Sequence, residues 1–184
     1  PLAMSSAASD VYKRQFVSHC IDVANILIDW NMDHTTVVSA LLHDVVEDTE
    51  VKLSDIEEEF GSDVALLVDG VTKVENIAFR SKKHKQAENF TKLFLSLARD
   101  LRVIIIKFAD RLNNMETIQY LSSKKRKEIA LETKEIFVPL AHRLGMAKLK
   151  WKLEDLSLKC LDLRAFNGIK KKIETSSRLN EDIL

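Results

Sequence analysis

The sequence predicts an all-α protein, and three observations support this prediction. The 184 residues include only four glycines and two prolines, so few residues interrupt regular secondary structure. Leu, Ala, Lys and Glu are frequent, and these residues favour helices over strands. Apolar residues also recur at helical spacing, as in the stripe of Val23, Ile26, Leu27 and Trp30 within residues 17–30. The length is enough for one hydrophobic core but not comfortably enough for two.

The next two predicted helices have recognisable ends. Asp33 or Thr35 can cap a second helix that runs to about Asp48. Residues 54–57, Ser-Asp-Ile-Glu, match a capping box, and Gly61 ends the short helix that they begin.

The second half of the chain continues the helical pattern after one interruption. Ser62 begins a helix that Gly70 closes, and the polar residues 71–85 are predicted to form a loop. After about Asp162 the pattern weakens. The remaining helices are predicted over residues 86–99, 101–119, 124–144 and 148–161.

The ends of the chain predict a three-part organisation. Residues 1–15 are polar and lack periodicity, so we expect them to be disordered or foreign to the protein. Residues 10–15, Asp-Val-Tyr-Lys-Arg-Gln, resemble the translated end of a sequencing adapter, which suggests a read artefact joined to a truncated gene; a disordered tail is the alternative. Residues 16–146 are predicted to hold the functional domain. Residues 147–184 are predicted to be a linker helix and the start of a further domain.

Charge and composition exclude several classes of function. Basic and acidic residues number 28 each, which gives no electrostatic case for nucleic acid as the main partner. No apolar run approaches the roughly 20 residues that span a bilayer, and no signal peptide is recognisable, so a cytoplasmic location is expected. Cys20 and Cys160 lack metal-type spacing and are interpreted as reduced thiols, with a disulfide as the alternative.

The predicted helix over residues 37–48 combines an apolar composition with a polar cluster. His43, Asp44, Glu47 and Asp48 fall within an arc of roughly 140° over a rise of about 7.5 Å. Three carboxylates and an imidazole on a helix that is otherwise Val, Ala and Leu would be costly to bury without a partner. A divalent cation would supply the missing positive charge. The alternative is an exposed acidic face at the end of a helix.

Asp110 is the second candidate ligand, because it follows an apolar run that should be buried. Its helical face also carries amide and hydroxyl side chains, and such a face suits a metal ligand beside a polar pocket. Taken alone, a structural salt bridge to Lys107 or Arg111 would be the simpler interpretation. Three polar side chains share its helical face: Asn113, Asn114 and Thr117.

His19 is the third candidate, on the apolar stripe of the first helix. A lone histidine on such a face is more often a core residue than a ligand. Mixed histidine and carboxylate ligands suit Mn²⁺, Fe²⁺ or Zn²⁺ better than Ca²⁺. The sequence contains no glycine-rich phosphate loop, nucleophile elbow or dinucleotide fingerprint.

These residues resemble the H…HD…D signature of the HD phosphohydrolases, whose fold is a helical bundle with a central metal site. The surrounding sequence resembles the hydrolase domain of the bifunctional RelA/SpoT enzymes, which make and destroy (p)ppGpp. Residues 151–162, WKLEDLSLKCLD, resemble the family's link into its synthetase domain. The matching stretches are HDVVEDT at 43–49, FGSDVALLVDGVTK at 60–73, QAENF at 86–90, KFADRLNNMET at 107–117 and PLAHRLG at 139–145.

The resemblance implies a function in the stringent response, namely removal of the 3′-pyrophosphate of ppGpp or pppGpp to give GDP or GTP and pyrophosphate. It implies Mn²⁺ as cofactor and four positions as its ligands: His19, His43, Asp44 and Asp110. Glu47 and Asp48 match the acidic pair that serves catalysis.

The resemblance also implies a substrate site and further domains. Asn114 and Thr117 match positions near the bound guanine nucleotide, and Lys73 is a candidate for screening the pyrophosphate. The full-length protein is expected to carry synthetase and regulatory domains, and no membrane or nucleic acid partner is expected.

Some residues depart from the family's pattern. Asn113 stands where histidine is common, and Glu116 where arginine is common. Residues 1–15 replace a basic segment that helps to hold the nucleotide in the family, so weak ppGpp binding is expected. Two alternatives stay open: an HD phosphohydrolase acting on another nucleotide, and a non-catalytic module that binds alarmone or a partner domain.

Overall fold

The computed structural model describes the backbone of residues 6–78 and 100–181, and within these ranges it contains helices and no strand. The predicted all-α class is therefore confirmed. None of the helices in this part of the chain combines the length and apolar character that a membrane span requires. In chain order, the elements are α1 (Ser6–Asp29), α2 (His34–Leu41), α3 (Val45–Asp48), α4 (Leu53–Phe60), α5 (Ser62–Ala78), α6 (Arg102–Glu116), a 3₁₀ turn (Ile118–Tyr120), α7 (Ser123–Glu132), a π turn (Thr133–Phe137), α8 (Val138–Arg143), α9 (Ala147–Leu161) and α10 (Leu163–Glu181).

Helix α1 begins at Ser6, well before residues 17–30, where the first helix is predicted. The backbone of residues 6–15 is helical, which the lack of apolar periodicity in this segment did not predict. The residues concerned include alanines, Lys13, Arg14 and Gln15, which have high intrinsic helix propensity and extend a helix without apolar periodicity. That residues 1–15 are disordered or foreign to the protein stays a prediction.

The helix predicted to run to Asp48 is interrupted at His43. Asp33 caps its start as expected, because its Oδ1 accepts the Thr36 N–H at 3.1 Å. Helix α2 then ends where Leu42 leaves the helical region at φ −108°, ψ 0°. The His43 ring lies in the turn that follows, and α3 contains no buried residue. The prediction of one continuous helix to Asp48 is therefore wrong.

Helix α5 continues past the predicted end at Gly70. The predicted loop is wrong for residues 71–78, which extend α5. The rest of that loop and the helix predicted over residues 86–99 lie outside the described residues.

Two long predicted helices are divided in the structure. The helix predicted over residues 101–119 is divided because α6 ends at Glu116 and a 3₁₀ turn follows. The helix predicted over residues 124–144 is divided into α7, a π turn and α8. In the π turn the Val138 N–H donates to Thr133 O. Pro139, which follows, has no N–H to donate. The helix predicted over 148–161 is confirmed as α9. α10 is helical although its pattern is weak, and none of the side chains described in it is buried.

The chain divides into two compact units, Pro1–Asn113 and Asn114–Leu184, with the division inside α6. The core of the first unit includes buried side chains of α1, α4, α5 and the first part of α6. Gly70 brings α5 close to α6, because a Cβ at this position would lie 2.7 Å from Val103 Cγ2. Among the described residues of this unit, the largest fully buried side chains include Val23, Leu27, Ile56, Leu67, Val68, Ile104, Ile106, Phe108 and His43.

The second unit has its own core around α9. Leu149 and Leu153 lie on the buried face of α9. The buried apolar residues contributed by the preceding elements are Met115, Ile118, Ala130, Phe137, Val138, Leu140 and Ala141. Each unit therefore buries apolar residues from several helices.

Candidate metal centre

His43 lies in the turn after α2, and one of its ring nitrogens is anchored by a hydrogen bond. Its Nδ1 lies 2.7 Å from Ala40 O, and since a carbonyl only accepts, Nδ1 carries the proton and donates it. The ring is 1% exposed. Nε2 is buried and makes no hydrogen bond, although Asp44 Oδ1 lies 3.0 Å away. Nε2 therefore lacks a hydrogen bond despite the nearby carboxylate oxygen, and a buried polar atom without a hydrogen bond is costly.

His19 projects from α1 with the same arrangement. Its Nδ1 lies 2.7 Å from Asn113 Oδ1, an acceptor at the end of the first unit. Its Nε2 is 3.3 Å from Asp110 Oδ1 and 3.9 Å from Asp44 Oδ2. The His19 and His43 ring centroids are 5.4 Å apart. In both rings Nδ1 is fixed by a protein oxygen and Nε2 is directed inward, as in histidines that ligate metals.

Asp110 lies on α6, seven residues after Val103, and is 7% exposed. Its Oδ1 faces His19, and its Oδ2 accepts a charged hydrogen bond from Lys107 Nζ at 2.7 Å. The salt bridge considered as an alternative for Asp110 is thus present. It uses one carboxylate oxygen and leaves the other towards the histidines.

The charges of the centre favour a cation. Burial alone would lower the pKa of the His43 imidazole, but Asp44, Cys20 and Asp110 outweigh it and raise that pKa to about 10. Burial likewise opposes the charged form of His19, and Asp110 raises its pKa above the ordinary value. For Asp110, burial alone would raise the pKa, but Lys107 and the two histidines hold it well below its usual range. The carboxylates therefore stabilise positive charge at this point.

Three ligand atoms of the centre lie within 4.8 Å of one another: one each from His19, His43 and Asp110. Asp44 adjoins them through the distances given above. The structure thus brings together all four residues predicted as metal ligands, from α1, the turn after α2, and α6. Their role as ligands stays a prediction.

The other predicted site residues are distributed over α3, α5 and the second unit. Glu47 and Asp48 are exposed in α3, and their N–H groups both bond to Asp44 O, at 3.1 and 2.9 Å. Asn114 and Thr117 belong to the second unit, and Thr117 lies beyond the end of α6, at the start of the 3₁₀ turn. The side chain of Lys73 is outside the described residues.

Sequence reasoning missed two neighbours of the centre. Asn113 was noted as polar and inward-facing, but its role as the partner of His19 was not anticipated. Cys20 is buried, and its Sγ lies within 4.8 Å of ligand atoms of His43 and Asp44. The available signal was its spacing, since it precedes Val23 and Leu27 by three and seven residues on the inward face of α1.

Comparison with known proteins gives consistent results. Residues 3–147 match the family model described as HD domain. The chain is 41% identical over 184 residues to a guanosine-3′,5′-bis(diphosphate) 3′-pyrophosphohydrolase of Haemophilus influenzae, covering 96% of this chain and 27% of that protein. It is 45% identical over 161 residues to the bifunctional (p)ppGpp synthase/hydrolase SpoT of Escherichia coli K12, covering 88% of this chain and 23% of that protein. The chain thus spans about a quarter of the length of these curated relatives.

A solved structure extends the comparison to the fold. It is described as a metazoan ortholog of SpoT that hydrolyzes ppGpp and plays a role in starvation responses. The TM-score is 0.56 at 30% identity, with 77% of this chain and 79% of that chain covered.

Proposed function

The chain belongs to the HD domain family, in the group of the RelA/SpoT enzymes, and we propose that it is a metal-dependent hydrolase of ppGpp or pppGpp. The reaction removes the 3′-pyrophosphate and gives GDP or GTP. The observation that carries the proposal is the convergence of His19, His43, Asp44 and Asp110 at a buried nitrogen without a hydrogen-bond partner. The names of the relatives support the substrate.

The residues present fit a divalent cation. His43 Nε2 is buried and unsatisfied, and the donor set is two imidazoles and two carboxylates. This set suits Mn²⁺, which is the cation in the proposal, and also Fe²⁺ and Zn²⁺. His19 and His43 would each bind through Nε2, and Asp110 through the oxygen not held by Lys107.

The reaction requires a nucleophile and a proton acceptor. When bound, the cation supplies a water of lowered pKa and polarises a phosphoryl oxygen. In the proposed reaction the water oxygen bonds to the phosphorus on the ribose 3′-oxygen, and the bond between that phosphorus and the 3′-oxygen breaks. Glu47 or Asp48, one turn after Asp44, accepts the water proton. The protonated carboxyl then gives this proton to the leaving 3′-oxygen, so the nucleotide departs with a 3′-hydroxyl, and pyrophosphate is the second product.

The substrate site and cellular setting are further parts of the proposal. Asn114, Thr117 and Lys73 are proposed to contact the nucleotide, on the basis of the resemblance alone. A role in the stringent response and a cytoplasmic location follow from the proposed substrate. A synthetase domain in the full-length protein is supported by the name of the bifunctional relative from E. coli, and regulatory domains are proposed from the resemblance alone.

Incubation with ppGpp and Mn²⁺ in ¹⁸O-labelled water tests the reaction. We expect GDP and pyrophosphate as products, with the label in pyrophosphate, because the attack is on phosphorus. Label in the nucleotide would contradict the proposed bond cleavage. A panel of ppGpp, pppGpp, GTP and a deoxynucleoside triphosphate separates the alternatives: turnover of another nucleotide alone favours a different HD phosphohydrolase, and binding without turnover favours a regulatory module.

A matched pair of variants ties turnover to the centre. Asp110→Asn removes one negative ligand and should abolish hydrolysis. Asp155→Asn makes the same chemical change at an exposed position of α9 and should leave hydrolysis unchanged. Equal turnover in the two variants would contradict the proposal that this centre carries the reaction.

A further inference from the structure

We propose that Cys20, His43 and Asp44 form a second binding set for a thiophilic divalent cation such as Zn²⁺ or Cd²⁺. One ligand atom from each of the three residues lies within 4.8 Å of the other two. The set shares His43 and Asp44 with the proposed catalytic centre and adds a thiol that the proposed reaction does not use. The inference rests on the proposed function only for its effect on catalysis, since the binding itself is a property of these three side chains.

Cys20 is positioned for such a role by α1. It follows His19 in the chain, its side chain is 4% exposed, and it forms no disulfide. A buried thiol alone would be an ordinary small core residue. Here it lies beside a polar centre, with its Sγ within 4.8 Å of ligand atoms of His43 and Asp44.

His43 supplies the independent observation that a ligand belongs at this point. Its Nε2 is buried, has no hydrogen-bond partner, and lies 3.0 Å from Asp44 Oδ1. Since Nδ1 is occupied by Ala40 O, Nε2 is the nitrogen available to a cation. The Asp44 side chain is 22% exposed, which gives an ion a route from solvent.

The spacing of the three atoms is close to that of a zinc site. Zn–N and Zn–O bonds of about 2.0–2.1 Å and Zn–S bonds of about 2.3 Å place neighbouring ligand atoms of a tetrahedron roughly 3.3–3.6 Å apart. The His43–Asp44 distance already lies near this range, and no pair of ligand atoms exceeds 4.8 Å. A small adjustment of the Cys20 side chain would therefore complete the set, with water as fourth ligand.

The chemistry of the thiol determines which cation the set selects. On binding, the Cys20 thiol loses its proton to solvent and coordinates as a thiolate. Thiolate prefers Zn²⁺ and other soft cations, whereas carboxylates suit Mn²⁺. Because His43 Nε2 can bond to one ion only, occupancy of the two sets is mutually exclusive. Zn²⁺ or Cd²⁺ should therefore inhibit by displacing the catalytic ion.

Titration of the whole chain with Cd²⁺ tests the assignment without reference to hydrolysis. We expect an ultraviolet thiolate-to-cadmium charge-transfer band that saturates at one ion per chain. Cys160→Ala is the matched control, because it removes the other free cysteine, which lies in the second unit. This variant should keep the band, and Cys20→Ala and Cys20→Ser should lose it.

Affinity measurements complete the test. Because Cd²⁺ depends most on the thiolate, loss of Cys20 should weaken Cd²⁺ binding by at least about tenfold. Mn²⁺ affinity should stay within twofold in Cys20→Ser, which also shows that this variant is folded. The proposal is overturned if the wild type gives no band, if Cys160→Ala loses it, if the Cys20 variants keep it, or if Cys20→Ser loses Mn²⁺ binding as well.

Discussion

Replacing Gly70 with alanine tests how closely α5 packs on α6, the helix that carries Asp110. A Cβ at Gly70 would lie 2.7 Å from Cγ2 and 3.5 Å from Cγ1 of Val103. The shorter distance is about 1 Å inside the optimal separation of two carbon atoms. Val103 is 4% exposed, and a valine in a helix has one strongly preferred rotamer, so its side chain cannot turn aside without strain.

Two opposing terms set the size of the effect. Overpacking in a core costs about 1–3 kcal/mol. Alanine in place of glycine inside a helix gains about 1 kcal/mol. Because the contact is so short, we expect Gly70→Ala to lower the free energy of unfolding by about 1–2 kcal/mol. In a Val103→Ala background the clash is absent, so the same change should raise that free energy by about 1 kcal/mol.

Urea unfolding of the four chains of this double-mutant cycle measures the coupling, which we expect to be about 2–3 kcal/mol. Gly168→Ala is the matched control, since nothing lies within 4 Å of a Cβ at that position of α10, and it should stabilise the chain. If Gly70→Ala stabilises the wild type as Gly168→Ala does, the close approach of α5 and α6 is refuted.

Two further predictions concern catalysis and pH. Glu47→Gln or Asp48→Asn should lower ppGpp turnover by about a hundredfold or more, and calorimetry should show unchanged Mn²⁺ affinity. Wild-type turnover in both variants would contradict the general-base role. Loss of Mn²⁺ binding in either variant would make that residue a metal ligand. Arg102 holds the pKa of Asp100 below its ordinary value of 3.8, so this ion pair stabilises the fold above that pH and the contribution is lost as the pH falls through the lowered pKa. Arg102→Gln should therefore cost less than about 1 kcal/mol at neutral pH, and the gap to the wild type in urea unfolding should close progressively in acid; a gap independent of pH would contradict this.

The sequence was sufficient to predict the helical class and to find the residues of the metal centre. His43, Asp44 and Asp110 stood out because charged groups in apolar segments need a partner. His19 was a weaker candidate from the residues alone, because an apolar stripe accommodates a core histidine equally well. The resemblance to a known family was what favoured a ligand role for His19.

Helix ends were harder to predict, because single local contacts decide them. Helix α2 stops where the His43 ring bonds to Ala40 O, which no periodicity reveals. α5 passes through Gly70 because the glycine serves a close helix–helix contact there rather than a cap. Likewise, Cys20 lacks metal-type spacing in sequence, and only the packing of α1 places it beside His43.

The claim that His19, His43, Asp44 and Asp110 bind one divalent cation can be tested by anomalous diffraction from crystals grown with Mn²⁺. We predict a single strong peak in the first unit, with bonds of roughly 2.0–2.3 Å to the Nε2 atoms of both histidines and to a carboxylate oxygen of each aspartate. Absence of a peak at saturating Mn²⁺, or a peak bonded to other residues, would contradict the account.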